Sequence, residues 1–549
     1  MLHRTEGGVV LTSPVPDLLA ASVAEHGPRP AMSFFGRKWT YAELGALVDK
    51  VAAGLQAQGV HKGTKVGLCL PNTPYSVIFF FAVMKAGGIV VNFSPLYVER
   101  ELRHQIRDSG TEIMVVPDLK LIHSRVAAVA QEAGLKHIIV CPMAGILPFP
   151  KGLLFTLFKR KEQAQYKAGD GLHLNYRDLL RHAERPTPVP VDPARDVAVL
   201  QYTGGTTGVP KGAMLTHANV SANAHQVIAH ADCERIGVFK VLGVLPLFHV
   251  FAMQTVMLIP ICLGAEIILV PRFQLDDLLN RIEREKPTMF PGVPTIYAAI
   301  NNVAGIEDRD LSSLTLCISG GAPLPKEVRE RFEQLTGCKL VEGYGLSETS
   351  PVVTANPPLG LVKDGSVGTA LPQTAIEIRD LADPARTVGV GAKGEVCVRG
   401  PQVMAGYYQR PDETASAFID GALRTGDVGY FDADGYLFLV DRIKDVILCG
   451  GYNVYPRVIE EALYLHPAVS EAVAIAIPDS YRGQAPKAFV TLRQGSEATP
   501  EELMTFLSAQ ISKIELPKAV EIRESLPKSV VGKLSKKELV EEERQRTQG

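Results

Sequence analysis

Apolar positions along the chain fall into short β-branched runs separated by stretches of helical length. KVGLCL at 65–70 predicts a strand, SVIFFFAVMKAG at 76–87 a helix and IVVNF at 89–93 a second strand. EIMVVP at 112–117 and KHIIVC at 136–141 repeat the pattern around the helical AAVAQEAG. VAVLQY at 197–202 follows a proline-rich connector, Arg185–Asp196. Continuous apolar runs joined by helices predict parallel sheets covered on both faces.

A second texture begins near residue 366. GSVGTAL, TAIEIRD, KGEVCVRG, GYLFLVD and DVILCGG read as short strands with glycine turns. From about residue 445 the order becomes helix (IEEALYLH), strand (VSEAVAIAIPD), strand (PKAFVTLR), helix (PEELMTFLSAQI). The expected architecture is α/β: a large N-terminal domain of parallel sheets with a β-rich subdomain (1–440), a hinge at 441–444, and a small, mobile α+β domain (445–549).

Composition narrows the class. A chain of 549 residues exceeds what one core holds. Lys+Arg total 57 against Asp+Glu 59, so no basic excess points to nucleic acid. No two of the eight cysteines are closer than 21 residues, which excludes a CxxC metal or redox site and predicts buried thiols. The N-terminal stretch has no apolar segment long enough for a secretory signal. The longest apolar stretches, Val77–Met84 and Val241–Cys262, are too short or too interrupted to span a bilayer. A cytoplasmic protein is expected.

The sharpest chemistry is YTGGTTGVPKG at 202–212. A strand ends at Tyr202, and a loop of glycines and threonines follows that can bring backbone N–H groups and hydroxyls to phosphates, with Lys211 as a point charge. It is not a Walker A loop, because Pro210 precedes Lys211 and Gly212 follows it. In GYGLSET (343–349) the nucleophile-elbow pattern fails at Thr349, which disfavours a serine hydrolase. Glu348 is instead a carboxylate suited to Mg²⁺. Asp427 lies in RTGD, where an acidic group can accept the hydroxyls of a ribose. His249 lies in an apolar run, where a lone histidine is more often structural. His225 and His230 are five residues apart, so they do not share a helix face as a metal pair would. They read as structural or exposed.

The glycine–threonine loop resembles the phosphate-binding motif of the adenylate-forming superfamily, which includes acyl-CoA synthetases, peptide-synthetase adenylation domains and beetle luciferases. Five further motifs of that family occur in order: PLFHVFA (246–252), YGLSETSP (344–351), RTGDVG (424–429), DRIKDVILCGGYNVYP (441–456) and PKSVVGKLSKKEL (527–539). The resemblance implies a two-domain AMP-binding enzyme using ATP, Mg²⁺ and coenzyme A on a carboxylic acid. It implies ATP or AMP contacts at Thr203, Gly204, Gly205, Thr206, Thr207, Gly208, Lys211, Gly320, Gly321, Ala322, Gly343, Tyr344, Gly345, Ser347, Asp427 and Arg442. Thr203 and Glu348 would hold the metal. Lys533 would act on the reacting carboxylate and α-phosphate, alongside Lys211 and His249. Lys444 would be the pivot, with Gly450, Gly451 and Tyr452 near coenzyme A.

Several strings, among them VVNFSPLYVERELRHQIRDSG (90–110), resemble bacterial long-chain fatty-acid ligases. An alkyl chain needs a dry pocket, and Phe248, His249, Phe251, Met253, Val256 and Met257 are candidate lining. Met253 stands where some members carry a gating tryptophan, and Ala422 where a signature tryptophan is usual. Medium-chain and dicarboxylic acids therefore stay open, as do loading of a separate carrier protein and a luciferase-like side activity; a non-catalytic role is disfavoured, because Thr203, Lys211, Glu348, Asp427, Arg442 and Lys533 are all present. MAGILPFPKGLLFTLFKRK (143–161) is apolar with a basic end. It suits a peripheral contact at the inner membrane, a lid or a homodimer contact.

Overall fold

The computed structural model describes residues 11–182, 185–203, 210–449, 452–479, 481–529 and 532–548. Two large sheets form its body. The first runs His173–Asn175, His137–Cys141, Ile113–Pro117, Lys65–Leu68, Ile89–Asn92, Val197–Thr203, Lys211–Thr216 and is parallel up to its antiparallel last pair. The second sets Met289–Gly292, Leu316–Gly320 and Lys339–Gly345 in parallel, with antiparallel strands at both edges. These are the covered sheets that non-alternating apolar strands require.

The helix Pro74–Lys85 touches strands of both sheets. None of its faces meets water, so Val77 to Met84 are all buried and the apolar residues surround the axis instead of forming a stripe. The helix His217–Ala231 lies between the same sheets. Its start is closed by reciprocal bonds: Asn219 N–H donates to Thr216 Oγ1 at 3.1 Å, and Thr216 N–H to Asn219 Oδ1 at 2.9 Å. The Val241–Cys262 stretch resolves into the strand Lys240–Gly243 and a helical run that is π-helical over Met253–Leu258. Among the described residues, no helix is long and apolar enough to cross a membrane. All eight cysteines are buried.

The β-rich texture forms an antiparallel sheet of Ala375–Arg379, Gly394–Arg399, Ala422–Phe431 and Leu437–Arg442. A single turn, Ile443–Asp445, leads into a separate sheet that pairs Val469–Asp479 with Gly483–Leu492. The helices Pro456–Tyr464 and Pro500–Gln510 cover that sheet over a core of their own, including Ile459, Leu463 and Leu507.

Candidate active site

Three strands of the two large sheets end at the same cleft. Thr203, Gly320 and Gly345 are their last residues, and all three line the cleft with Lys211, His249, Glu348, Asp427, Arg442 and Lys533. A crevice outside the carboxyl ends of parallel strands is where open α/β sheets bind ligands.

His249 is held by two sets of amides. Buried Asn72 donates to the carbonyls of Gly243 at 3.0 Å and Leu245 at 2.8 Å, and accepts from Leu247 N–H at 2.9 Å. Gln201 donates to the Phe248 carbonyl at 3.1 Å and accepts from Asn92 at 3.0 Å. His249 caps the next helical turn, with Phe251 N–H donating to Nδ1 at 3.4 Å. Nδ1 is then the acceptor and Nε2 carries the proton. Burial pushes the ring pKa down to about 3, and the Lys533 cation adds to this. The imidazole is therefore neutral at physiological pH, a hydrogen-bonding group and not a proton carrier.

Asp427 and Arg442 face each other across antiparallel strands, with Arg442 Nε 2.9 Å from Asp427 Oδ1. Tyr344 O–H donates to the other carboxylate oxygen at 2.6 Å. Burial raises the Asp427 carboxyl above its ordinary range, and Arg442 pulls it back. Glu348 sits in the turn Ser347–Thr349, where Tyr407 O–H donates to its Oε1 at 2.8 Å. Lys211 Nζ lies 5.2 Å from the centre of the same Tyr407 ring. One carboxylate beside one hydroxyl, Glu348 and Thr203, is too few protein ligands for a dedicated metal cage. It suits an Mg²⁺ that arrives with phosphate oxygens and water.

Lys533 reaches into this cleft from the C-terminal unit. Its stem lies against Gly321, where an added Cβ would come within 2.2 Å of Lys533 Cε. Burial pushes its pKa down to about 8, Arg442 lowering it further and Asp427 opposing. The cleft thus brings Lys211, Arg442 and Lys533 together with Asp427, Glu348 and the neutral His249, groups suited to a polyphosphate and an acid.

Residues 19–408 match the model of the AMP-binding enzyme family, and residues 458–533 match the AMP-binding enzyme C-terminal domain. The chain belongs to the AMP-binding enzyme family. It is 43% identical over 536 residues to a long-chain-fatty-acid–CoA ligase of Bacillus subtilis, covering 96% of this chain and 94% of the relative. It is 39% identical over 540 residues to an Escherichia coli protein of the same name, with the same coverage. The solved ATP-bound MatB of Rhodopseudomonas palustris superposes with a TM-score of 0.84 at 28% identity, over 96% of this chain and 99% of that one. This AMP-binding enzyme is an ATP-dependent acid–CoA ligase that works through an acyl-adenylate and uses ATP, Mg²⁺ and coenzyme A.

Most of the expected residues meet in the cleft. Gly320, Gly321, Ala322, Gly343, Tyr344, Gly345, Ser347, Phe248, Phe251 and Lys444 all line it. Gly204 to Gly208, with Gly450 and Gly451, lie outside the described residues. Tyr452 is exposed and away from the cleft. Met253, Val256 and Met257 differ from expectation: they are fully buried in the core and do not line the cleft. The π-helical turn redirects that face, and Thr255 lines the cleft instead.

His230, read as structural or exposed, also lines the cleft. Its Nε2 lies 2.8 Å from the Ala355 carbonyl. Tyr407, to which the sequence alone assigns no role, lies in GPQVMAGYYQRPDET at 400–414.

Proposed function

We propose that the acid is an unbranched fatty acid of medium to long chain. The observation that carries this reading is that Val227, Ala231, Phe251, Ile318 and Val341 present apolar surface to the cleft that His249 also lines. A chain lying there would leave water at about 0.8 kcal/mol per CH₂. The names of the Bacillus subtilis and Escherichia coli relatives agree with it. The test is pyrophosphate exchange over a series from hexanoate to palmitate. Affinity is expected to rise about fourfold per CH₂ until the pocket ends. A flat response would overturn the reading, a best substrate with a second carboxylate would favour a dicarboxylate ligase, and efficient loading of a carrier protein in place of coenzyme A would favour that alternative.

In this reading Asp427 accepts the ribose hydroxyls, and Arg442 pairs with it and faces the sugar and phosphate. Lys211 and the 204–208 loop hold phosphate, and His249 orients the acid through Nε2–H. Thr203 and Glu348 would hold Mg²⁺, which supplies neutralising charge at the phosphates when bound. The acid carboxylate attacks the α-phosphorus and pyrophosphate leaves. Lys533 stands between the two anions and stabilises the charge that builds there. Coenzyme A's thiol then attacks the acyl carbon and AMP leaves. Lys533 occupies the approach to that centre, so the second step calls for a rotation of 445–549 about 441–444 with Lys444 as pivot.

We also propose that this cytoplasmic ligase meets anionic lipid through residues 143–161. In and beside the helix Lys151–Phe158, Phe149 (88% exposed), Leu157 (63%) and Phe158 (79%) stand out in water. Lys151, Lys159, Arg160 and Lys161 flank them in sequence, with Lys159 paired to Glu162 at 2.6 Å, and the net positive charge that is left complements acidic headgroups. Sedimentation with anionic vesicles is expected to capture the protein, and Leu157→Ser/Phe158→Ser to release it. Self-association lost in the same variant, without vesicle binding, would make the patch a homodimer contact instead.

A further inference from the structure

Lys533 reaches the cleft at the end of a long flexible side chain, yet its electrostatic role depends on position. The backbone from which it departs is fixed from both sides. The peptide joining Gly532 to Lys533 is a rigid plane. On one edge, Lys533 N–H donates to Ser529 Oγ at 3.2 Å, within the same turn. On the other edge, the Gly532 carbonyl accepts from Thr295 Oγ1 at 2.8 Å, across 237 residues of sequence. Gly532 has a φ of +82°, so its carbonyl is aimed by a conformation that few other residues adopt. Thr295 lies in the first turn of the helix Pro294–Asn301, directly after the strand Met289–Gly292. It is carried by the rigid sheet that also carries Gly320 and Gly321.

We propose that Thr295 is a positioning residue that docks the Lys533 turn for adenylation and has no part in thioester formation. The inference rests on the reading of Lys533 given above. When residues 445–549 rotate away, the Thr295 hydroxyl and the Gly532 carbonyl both return to water, so the bond favours one domain position only. Removing it is expected to lower adenylation by roughly 2- to 12-fold, the net worth of one neutral hydrogen bond. Thr295 lines the cleft, but its hydroxyl proton is committed to the Gly532 carbonyl, so the loss is expected in kcat, with KM for acid and ATP unchanged.

The test uses the full chain with Thr295→Val, which keeps the side-chain shape, and Thr295→Ser, which keeps the hydroxyl. Lys533→Ala is the reference. Acid-dependent pyrophosphate exchange measures the first step, and single-turnover transfer from synthetic acyl-AMP to coenzyme A measures the second. Thr295→Val is expected to slow only exchange, and Thr295→Ser to restore it. If Lys533→Ala loses exchange while Thr295→Val keeps it, the docking role is overturned and the lysine reading stands. Equal loss in both steps would make Thr295 structural, and a raised KM for the acid would make it a substrate contact; either result overturns the proposal. Full exchange in Lys533→Ala would overturn the lysine reading and this inference together.

Discussion

Asp427→Asn separates binding from stability. The carboxylate is 5% exposed, accepts from Tyr344 O–H at 2.6 Å and pairs with Arg442 at 2.9 Å. Asparagine keeps one oxygen acceptor and replaces the other with a donor, so one ribose hydroxyl loses its charged partner. Hydrogen bonds to charged groups are worth about 1.5–3 kcal/mol net, which corresponds to about a 10- to 150-fold rise in KM for ATP. The effect on folding runs the other way. Burial holds the Asp427 carboxyl above its ordinary range. A folded pKa above the unfolded one means that stability is lost as pH rises through that interval, so the ionised group costs stability at neutral pH. Removing the charge should therefore leave Tm unchanged or raised. The assay is pyrophosphate exchange against ATP concentration, with thermal unfolding of the ligand-free enzyme alongside. An unchanged KM would remove Asp427 from the nucleotide site. A lowered Tm together with the raised KM would mean that the carboxylate is a structural anchor and that the binding loss is secondary.

Lys533→Ala should lower adenylation by roughly 10²–10³-fold, the scale of one preorganised charge-stabilising group, and leave transfer from acyl-AMP nearly intact. Lys444→Pro should do the reverse, because a fixed φ stops the pivot; single-turnover kinetics on both variants decides, and equal slowing of the two steps by Lys533→Ala would end the two-position scheme. Burial depresses Lys533 to about 8, so its cation is lost as pH rises through that value. The kcat/KM of adenylation should fall there, and Lys533→Arg, which keeps its charge, should lack that limb. A rate that rises across the same range would make the neutral amine the working form.

The sequence alone determined what depends on neighbours along the chain. Non-alternating apolar runs marked the parallel strands, because a strand buried on both faces needs no polar side. Glycine and proline marked the turns. Thr203, Lys211, Glu348, Asp427, Arg442 and Lys533 sit in short strings that resemble the motifs of one enzyme family, and the ligase class was legible through that resemblance.

Tertiary structure decided which side chains face which space. Phe251 and Thr255 line the cleft while Met253, Val256 and Met257 pack into the core, and apolar composition is the same for a pocket wall and a protein interior. The π-helical turn at Met253–Leu258 also breaks the 3.6-residue spacing from which a face would be read. Tyr407 meets Glu348 and Lys211 only because separate strand ends converge on one cleft. Thr295 meets Gly532 because the C-terminal unit folds back across 237 residues. Pairings of that kind leave no periodic trace in the chain, since the distance that matters is set by sheet packing and domain position and not by the number of residues between them.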